Sequence, residues 1–326
     1  MSARGPAVVT GASGFVGGHL VAALLDAGRP VRCVVRPTSD VRWLPAAGIE
    51  RIAAPLDRAD ALRDAVAGAS VVFHLAAVTS SARREDYART NAGGTRRLLD
   101  AVRAAAPDAR VVLCSSIAAV GPARAGRPAR EEDVPAPVSA YGASKLAAER
   151  ALLESGVDGV IVRPPVVYGP RDRDVLAAFR LAARGLAPRV GPAGQRLSMI
   201  HAADLARALV LVAACGRRGA RYHVSDGVVH TWASVTAAIG DAVGRRPRHV
   251  PVPRAVALAL AAADASIARA TGRKPLLTHD RVVELACADW SCDPSLARAE
   301  LGFAPRVALA EGMRDTARWY REHGWL

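Results

Sequence analysis

Tyr141 and Lys145 are four residues apart in the segment SAYGASKLAAER, residues 139–150, and this spacing could support proton transfer. The chain has 44 Lys and Arg residues, and Lys145 is one of only two lysines among them. On a helix, residues four apart share one face. An ammonium about 4 Å from a phenol contributes roughly 4 kcal/mol at an effective dielectric of about 20, which lowers a phenol pKa of about 10 by about 2 to 3. The pair therefore predicts a tyrosine that gives and takes a proton.

Gly11, Gly14 and Gly17 lie in the segment VVTGASGFVGG, between a β-branched run and an apolar helix pattern. Glycine lets the backbone turn tightly and approach a pyrophosphate, whose charge then lies against the free N–H groups at the helix start. In this strand–turn–helix context the three glycines predict a dinucleotide site.

The elements that must position these residues follow an alternating pattern. Short β-branched runs alternate with Ala/Leu-rich amphipathic stretches, which is typical of a parallel sheet covered by helices. The predicted strands are residues 7–10, 31–35, 49–53, 71–75, 110–115 and 159–163, and the predicted helices lie near 15–28, 59–67, 83–106 and 139–155. The fold class is α/β, a Rossmann-type doubly wound parallel sheet with a smaller C-terminal domain.

The alternation weakens after Pro164 and Pro165, which suggests a domain boundary. We expect residues 1–165 to form the dinucleotide-binding domain and residues 166–326 to form mainly a substrate-binding domain. Residues 200–228 are expected to return to the sheet.

Arg36 follows the second predicted strand, where a cofactor with a free ribose hydroxyl usually meets an acidic residue. Guanidinium suits a phosphate instead, because it is permanently charged and presents a planar fork of donors. The sequence therefore favours NADP(H), with NAD(H) possible. Asp57, after the third strand, is a candidate to bond the adenine amino group, and Ala76 and Ala77 leave space beneath the cofactor.

The motifs resemble those of the extended short-chain dehydrogenase/reductases, the NAD-dependent epimerase/dehydratase family. The resemblance spans about two thirds of the chain in family order: TGASGFVG (10–17), LD (56–57), VVFHLAA (71–77), NAGGT (91–95), VVLCSS (111–116), YGASK (141–145), RPPVVYGP (163–170) and HAADLARA (201–208). It implies an NAD(P)-binding Rossmann-type domain and a Ser/Thr–Tyr–Lys catalytic set.

The resemblance assigns the catalytic set to Ser116, Tyr141 and Lys145, with Ser116 favoured over Ser115 by counting back from Gly121. Lysine, a compact charge with three rotatable donors, would also bond the nicotinamide ribose hydroxyls. Asn91 either braces a loop beside the site or caps a helix. The implied cofactor-binding residues are Gly11, Ser13, Gly14, Phe15, Val16, Gly17, Arg36, Leu56, Asp57, Ala76, Ala77, Asn91, Tyr141, Lys145, Pro164, Val166 and Val167.

Two substrate classes compete. Nucleotide-sugar epimerases and dehydratases of the family often carry RxxN after the sixth strand, but this chain reads Arg163-Pro-Pro-Val-Val-Tyr168. RPPVVYGP and the apolar residues 255–263 look more like the dihydroflavonol reductase and hydroxysteroid dehydrogenase branch, which handles apolar ketones and secondary alcohols. The VVRPTSD segment also resembles a sugar-epimerase-like group. Several residues could instead serve an anionic substrate: Arg171, Arg173, Arg196 and His201.

Composition excludes other classes. The net charge of +14 raises the question of nucleic acid, but the arginines are scattered and aromatic residues make up 4% of the chain, too few for base stacking. The apolar run 255–263 is far shorter than the ~20 residues needed to cross a bilayer. It suits a helix at the substrate site or at a membrane surface. No integral membrane segment, secretory leader or metal site is predicted, and we expect a cytoplasmic protein.

A catalytically silent NADP-binding regulator is the alternative from another class, because a fold does not guarantee chemistry. Such a protein would be expected to lose Tyr141 or Lys145, and both are present. Helices near 83–106 and 139–155 could also pair with a second copy, which predicts a homodimer.

Overall fold

The computed structural model describes residues 5–124 and 126–326 of the chain. Its strands are β1 (Ala7–Thr10), β2 (Val31–Val35), β3 (Ile49–Ala53), β4 (Val71–His74), β5 (Arg110–Cys114), β6 (Gly159–Arg163), β7 (Val166–Tyr168), β8 (Leu186–Arg189), β9 (Arg196–Leu197), β10 (Met199–His201), β11 (Arg221–His223), β12 (His230–Thr231), β13 (Arg248–Pro251) and β14 (Asp289–Trp290).

Twelve α-helices accompany these strands in the described residues. They are α1 (Phe15–Asp26), α2 (Ala59–Val66), α3 (Glu85–Tyr87), α4 (Gly93–Ala105), α5 (Ala140–Glu154), α6 (Leu176–Ala183), α7 (Ala202–Cys215), α8 (Trp232–Val243), α9 (Arg254–Thr271), α10 (His279–Leu285), α11 (Ser295–Leu301) and α12 (Leu309–Glu322). A π-helical segment (Ala88–Ala92) precedes α4, and a 3₁₀ turn (Ile117–Ala119) follows β5.

Seven parallel strands form the main sheet, in the order β11-β6-β5-β4-β1-β2-β3. The chain moves outward from β1 to β3 and then crosses back to β4, so the order reverses between β1 and β4. In open α/β sheets, ligands bind beyond the carboxyl ends of the strands at this reversal. The predicted Rossmann-type sheet is confirmed.

Helices cover both faces of the sheet because strands buried on two sides need an apolar layer on each. On one face, Leu20 and Leu24 of α1 pack with Leu205 and Leu209 of α7. On the other face α2, α4 and α5 contribute the buried residues Leu62, Leu98, Leu99, Val102 and Leu152. This double cover explains why the strands read as nearly continuous apolar runs.

The predicted boundaries differ from the observed ones in a few places. β4 and β5 each end one residue early, although the N–H groups of Leu75 and Ser115 still bond the neighbouring strands. The predicted helix 83–106 is divided into α3, the π-helical segment and α4. A π segment contains an extra residue, which hydrophobic periodicity does not reveal.

Past β6, the chain returns to the sheet at β11, which pairs in parallel with β6. The smaller two- and three-stranded sheets gather beside α6, α8 and α12, where Tyr168, Phe179, Ile239, Met313 and Tyr320 form a separate core. The domain boundary at residues 165 and 166 stays a prediction. Across residues 5–124 and 126–326, every helix is too short or too polar to cross a membrane.

A buried ion pair joins α5 to the centre of the sheet. The Arg163 guanidinium donates two hydrogen bonds to Glu149, at 2.7 and 2.9 Å, and the side chains are 1% and 0% exposed. Ser115 donates a third hydrogen bond to the same carboxylate at 2.5 Å. Ionised groups are costly to bury alone, so each partner requires the other.

Replacing Arg163 by methionine should therefore destabilise the protein by about 3–5 kcal/mol, because the buried Glu149 would lose both guanidinium hydrogen bonds and keep only the Arg221 guanidinium, 3.8 Å away, as a cation. Urea unfolding followed by circular dichroism measures this loss. The double variant Glu149→Leu/Arg163→Met is the control, and it should lose less than Arg163→Met alone. Equal losses would show that the ion pair does not set the stability here.

Candidate active site

The first turn of α5 places Tyr141 beyond the carboxyl end of β5. Ser139 is the N-cap of α5, and its hydroxyl accepts a hydrogen bond from the N–H of Gly142 at 2.9 Å. Gly142 has no room for a side chain, because a Cβ there would lie 2.3 Å from the carbonyl oxygen of Ala118. The glycine thus allows α5 to contact the 3₁₀ turn that follows Ser116.

Ser116 meets Tyr141 as a result of this contact. The Ser116 hydroxyl lies beside the Tyr141 phenol, where it acts to lower the phenol pKa, and it accepts the N–H of Ala118 at 3.1 Å. Ser115 points to the opposite side, as neighbouring residues of an extended chain do, and donates to the buried Glu149. The structure therefore brings Ser116 into the site and commits Ser115 to the core.

Lys145 lies one turn beyond Tyr141 and is 4% exposed. Its Nζ donates a hydrogen bond of 2.6 Å to the carbonyl oxygen of Cys114, the last residue of β5. Burial lowers the pKa of this ammonium. The predicted shared face of Tyr141 and Lys145 is present, with the lysine directed at the end of β5.

The expectation that Lys145 depresses the pKa of Tyr141 is wrong for the chain by itself. Burial raises the pKa of the Tyr141 phenol, and Cys114 and the Glu284 carboxyl raise it further, while the Ser116 hydroxyl acts in the opposite direction. A phenolate is poorly solvated in a dry site. Desolvation therefore outweighs the attraction of an ammonium that is aimed at a backbone carbonyl.

The glycine loop forms a cradle beside these residues. Gly11 has a φ of 71°, and a Cβ on it would lie 2.7 Å from the backbone nitrogen of Ala76. A Cβ on Gly17 would lie 2.1 Å from the carbonyl oxygen of Gly11, whereas Gly14 is exposed. The loop is thus packed against the end of β4 and open at its tip.

Helix α1 begins at the tip of this loop, at Phe15, with Ser13, Gly14 and Val16 around its start. In the described part of the chain, no side chain caps α1 and its first turn carries no acidic residue. Its first N–H groups and the positive end of its dipole therefore face the open tip of the loop. These features fit the pyrophosphate of a dinucleotide.

Arg36 and Asp57 stand at the ends of β2 and β3, on the same side of the sheet as the loop. Both side chains are exposed. Leu56 is fixed by the close approach of Gly94, whose Cβ would lie 2.8 Å from Leu56 Cδ1, and its carbonyl accepts from Arg97 at 2.6 Å. The cofactor roles of Arg36, Leu56 and Asp57 stay predictions.

Asn91, within the π-helical segment, braces the loop after β4. Its Oδ1 accepts the N–H of Val78 at 2.8 Å, and its Nδ2 donates to the Val78 carbonyl at 3.0 Å and to the Ser144 hydroxyl at 2.9 Å. The structure thus decides between the two predicted roles of Asn91 in favour of bracing. Ala76 and Ala77 are held between this brace and β1, where the Ala76 N–H donates to the Thr10 hydroxyl at 3.3 Å.

Pro164, Val166 and Val167 lie at the far side of the site. The Pro164 carbonyl accepts the N–H of Ile117 at 2.9 Å, which places the segment beside the turn after Ser116. Val166 is 37% exposed at the start of β7, and Val167 is half-buried. This wall presents apolar side chains.

The residues considered for an anionic substrate make structural contacts instead. The Arg171 guanidinium lies 3.5 Å from the Trp43 carbonyl, and Arg173 lies over the Trp325 ring at 5.1 Å. Arg196 pairs with Asp289 at 3.3 Å, and His201 is the N-cap of α7. All four side chains therefore have partners within the protein.

Sequence reasoning missed two carboxyl groups on α10, the buried Asp280 and the half-buried Glu284. Asp280 Oδ2 accepts the N–H of Tyr141 at 3.1 Å, and Glu284 accepts the hydroxyl of Ser139 at 2.6 Å. Burial raises the pKa of Glu284. The only signal for them in the sequence is their four-residue spacing, which places two acids on one helix face.

Comparisons with known proteins show which proteins the chain is similar to. A family model described as the NAD dependent epimerase/dehydratase family matches residues 7–225. "Ceramide reductase" of Caulobacter vibrioides is 32% identical over 99% of this chain and 97% of its own. "4-hydroxy-2-methyl-3-oxo-4-farnesyl-3,4-dihydroquinoline-1-oxide ketoreductase" of Stigmatella aurantiaca is 30% identical over 94% and 93%. The solved structure "MoeE5 in complex with UDP-glucuronic acid and NAD" superposes with a TM-score of 0.77 at 29% identity, covering 98% of this chain and 100% of that one.

Proposed function

Because the chain belongs to the NAD-dependent epimerase/dehydratase family, we propose that it is an NADP(H)-dependent oxidoreductase that interconverts a ketone and a secondary alcohol on a small apolar molecule. The observation that carries this proposal is the placement of Tyr141 and Ser116 side by side near the glycine loop, where Gly142 lets α5 pack against the turn after Ser116. A donor pair at the reversal point of the sheet can hold and protonate a carbonyl oxygen.

In the reductive direction, the bound nicotinamide would supply a hydride to the carbonyl carbon. Tyr141 gives its phenolic proton to the carbonyl oxygen, while the Ser116 hydroxyl donates a hydrogen bond to that oxygen as negative charge develops. Oxidation uses the same groups in reverse. Burial raises the pKa of Tyr141, so the phenol is protonated at neutral pH, as a proton donor in the reductive direction must be.

Lys145 would act after Tyr141 has given its phenolic proton to the substrate. Donation converts Tyr141 to a phenolate in a buried site, and the ammonium one turn away compensates that charge. One of its three N–H groups is bonded to the Cys114 carbonyl. The other two suit the ribose hydroxyls of the nicotinamide nucleotide.

The preference for NADP(H) rests on Arg36. In the described residues, the acid nearest to it in the following loop is Asp40, whose carboxylate accepts the N–H and the Nε of Arg42 at 3.2 and 2.9 Å. Arg36 therefore offers an exposed cation where an NAD-binding site usually offers a carboxylate. NAD(H) is the alternative, since the solved relative binds NAD.

An apolar substrate is favoured by two observations. The wall formed by Pro164, Val166 and Val167 is apolar, and the arginines that could have held a diphosphate are committed to other contacts. The names of the two reductases above give a ceramide and a farnesyl-bearing quinoline oxide as their substrates. A nucleotide-sugar epimerase that uses tightly bound NAD(P) is the second candidate, favoured by the likeness to the structure holding UDP-glucuronic acid.

The outer faces of α4 and α5 would form a homodimer in this proposal. Ala143 and Leu153 of α5 are exposed on one side, and Leu153 is 37% exposed. The cytoplasmic location and the dimer stay predictions.

A spectrophotometric screen tests the proposed reaction. We expect steady consumption of NADPH with apolar ketones and no net consumption with UDP-, GDP- or dTDP-sugars. Chromatography of the sugar reactions is the parallel readout. Conversion of a sugar without net change in the cofactor would instead establish the epimerase.

Substitutions of the two hydroxyl groups test the catalytic assignment. Tyr141→Phe should lower kcat by about 10²- to 10⁴-fold through loss of the proton donor, and Ser116→Ala by about 10²- to 10³-fold through loss of the oxyanion donor. Ser115→Ala is the matched control, because its hydroxyl serves Glu149, and it should lower stability more than kcat. Full turnover in Tyr141→Phe would remove the basis of the mechanism.

Substitution of Arg36 tests the proposed preference for NADP(H) over NAD(H). A hydrogen bond to a charged group contributes about 1.5–3 kcal/mol, so Arg36→Ala should weaken NADPH binding by roughly 10- to 100-fold and leave NADH binding nearly unchanged. Arg42→Ala, an exposed arginine of the same loop, is the control. Fluorescence titration with both nucleotides gives the dissociation constants, and equal effects on both would contradict phosphate recognition by Arg36.

A further inference from the structure

Helix α9 presents an apolar face to solvent. Val256, Leu260 and Ile267 are 49%, 57% and 52% exposed, and their spacing of four and seven residues places them on one side of the helix. The adjoining side of the helix is buried at the alanines 257, 261 and 268, the first two of which pack with Val282. Leu276, just past the helix, is 86% exposed. Val256, Leu260, Ile267 and Leu276 together form an apolar strip, and no element in the described part of the chain covers it.

Basic residues stand at both ends of this strip. Four arginines precede α9 or begin it, and an arginine and the second lysine follow it: Arg245, Arg246, Arg248, Arg254, Arg273 and Lys274. Asp264 is the single acid between residues 245 and 277. Its carboxylate already binds Arg273 and the N–H groups of Leu276 and Leu277. The strip is therefore apolar along its length and positive at its ends.

We propose that α9 docks on the surface of an anionic lipid bilayer, with Val256, Leu260, Ile267 and Leu276 in the headgroup boundary. An apolar helix face flanked by Lys and Arg binds such surfaces through apolar burial together with attraction to anionic lipids. A second copy of the chain fits less well, because pairing the strips would bring like-charged ends together.

The docked face lies next to the candidate active site. Immediately after α9, the carbonyl of Pro275 accepts the hydroxyl of Ser80, in the loop after β4, at 2.9 Å. Asp280, on the next helix, accepts the N–H of Tyr141 at 3.1 Å. Given the proposed function, on which this step rests, an apolar ketone dissolved in the bilayer would reach Tyr141 from this side.

Vesicle sedimentation tests the docking without any substrate. The full chain should sediment with vesicles of equal parts phosphatidylcholine and phosphatidylglycerol, release in high salt, and stay in the supernatant with phosphatidylcholine alone. Leu260→Glu/Ile267→Glu should weaken binding at least tenfold. Val228→Glu, at an exposed valine outside α9, is the control and should bind as the unaltered chain does.

Substitutions of basic residues near the start of α9 test separately whether electrostatic attraction contributes to vesicle binding. Arg245→Gln/Arg246→Gln should weaken binding roughly 25-fold, since each basic residue near an anionic surface contributes about fivefold. Arg314→Gln/Arg318→Gln removes two exposed arginines of α12 and should have little effect. Absence of binding to the anionic vesicles by the unaltered chain, or equal binding by Leu260→Glu/Ile267→Glu, would overturn the proposal.

Turnover of a water-soluble ketone separates this inference from the proposed function. Leu260→Glu/Ile267→Glu should keep that turnover while losing vesicle binding. Vesicle binding without turnover would refute the reductase and leave the docking surface intact. A dimer that the same double variant dissociates, without vesicle binding by the unaltered chain, would show an interface between copies and contradict membrane docking.

Discussion

The close approach of α5 to the turn after β5 is the constraint on which the proposed chemistry depends. Gly142 permits it, because any side chain there would collide with the backbone of Ala118. Two turns further along the same helix, Glu149 is anchored in the core by Arg163 and Ser115. Attached at both places, α5 can neither slide nor rotate freely, and Tyr141 stays against Ser116.

Burial then sets the electrostatics of this site. It raises the pKa of Tyr141 and lowers that of Lys145, so both shifts oppose the charged form. His74, at the end of β4, follows the same rule: burial lowers its pKa to about 3, and Thr10 and Thr95 lie 2.7 and 3.0 Å from its ring nitrogens. Burial thus disfavours the charged form of each of these groups, and the Lys145 ammonium matters most once Tyr141 has given up its proton.

Ion pairs within the protein compensate much of the chain's high positive charge. The fold therefore does not need an anionic ligand at each arginine. Many arginines join distant elements, as Arg110 does with Asp158 at 2.9 Å and Arg217 with Glu300 at 2.7 Å. Exposed ion pairs of this kind contribute little stability individually, but each one places a carboxylate beside an arginine and neutralises its charge locally. The cluster around α9 differs, because it has far more arginines than acids and borders an apolar strip.

Most of the sheet was predictable from the sequence. Strands such as β1 and β6 are short β-branched runs, and the glycine loop and the Tyr141–Lys145 spacing depend on neighbours within a few residues. These features are local, and the strand period, the helix period and the backbone freedom of glycine are enough to recognise them. The π-helical segment at Ala88–Ala92 was not predictable, since its extra residue leaves no mark on the pattern.

The amino-acid sequence by itself determined the fold class, the glycine cradle and the identity of the tyrosine and lysine that face the site. Only the tertiary structure decided that burial raises the pKa of Tyr141, that Ser115 serves the core, and that Asp280 and Glu284 of α10 support α5. The physical reason is distance along the chain. Desolvation and hydrogen bonds between residues 34 to 145 positions apart depend on how elements pack, and no local spacing encodes that.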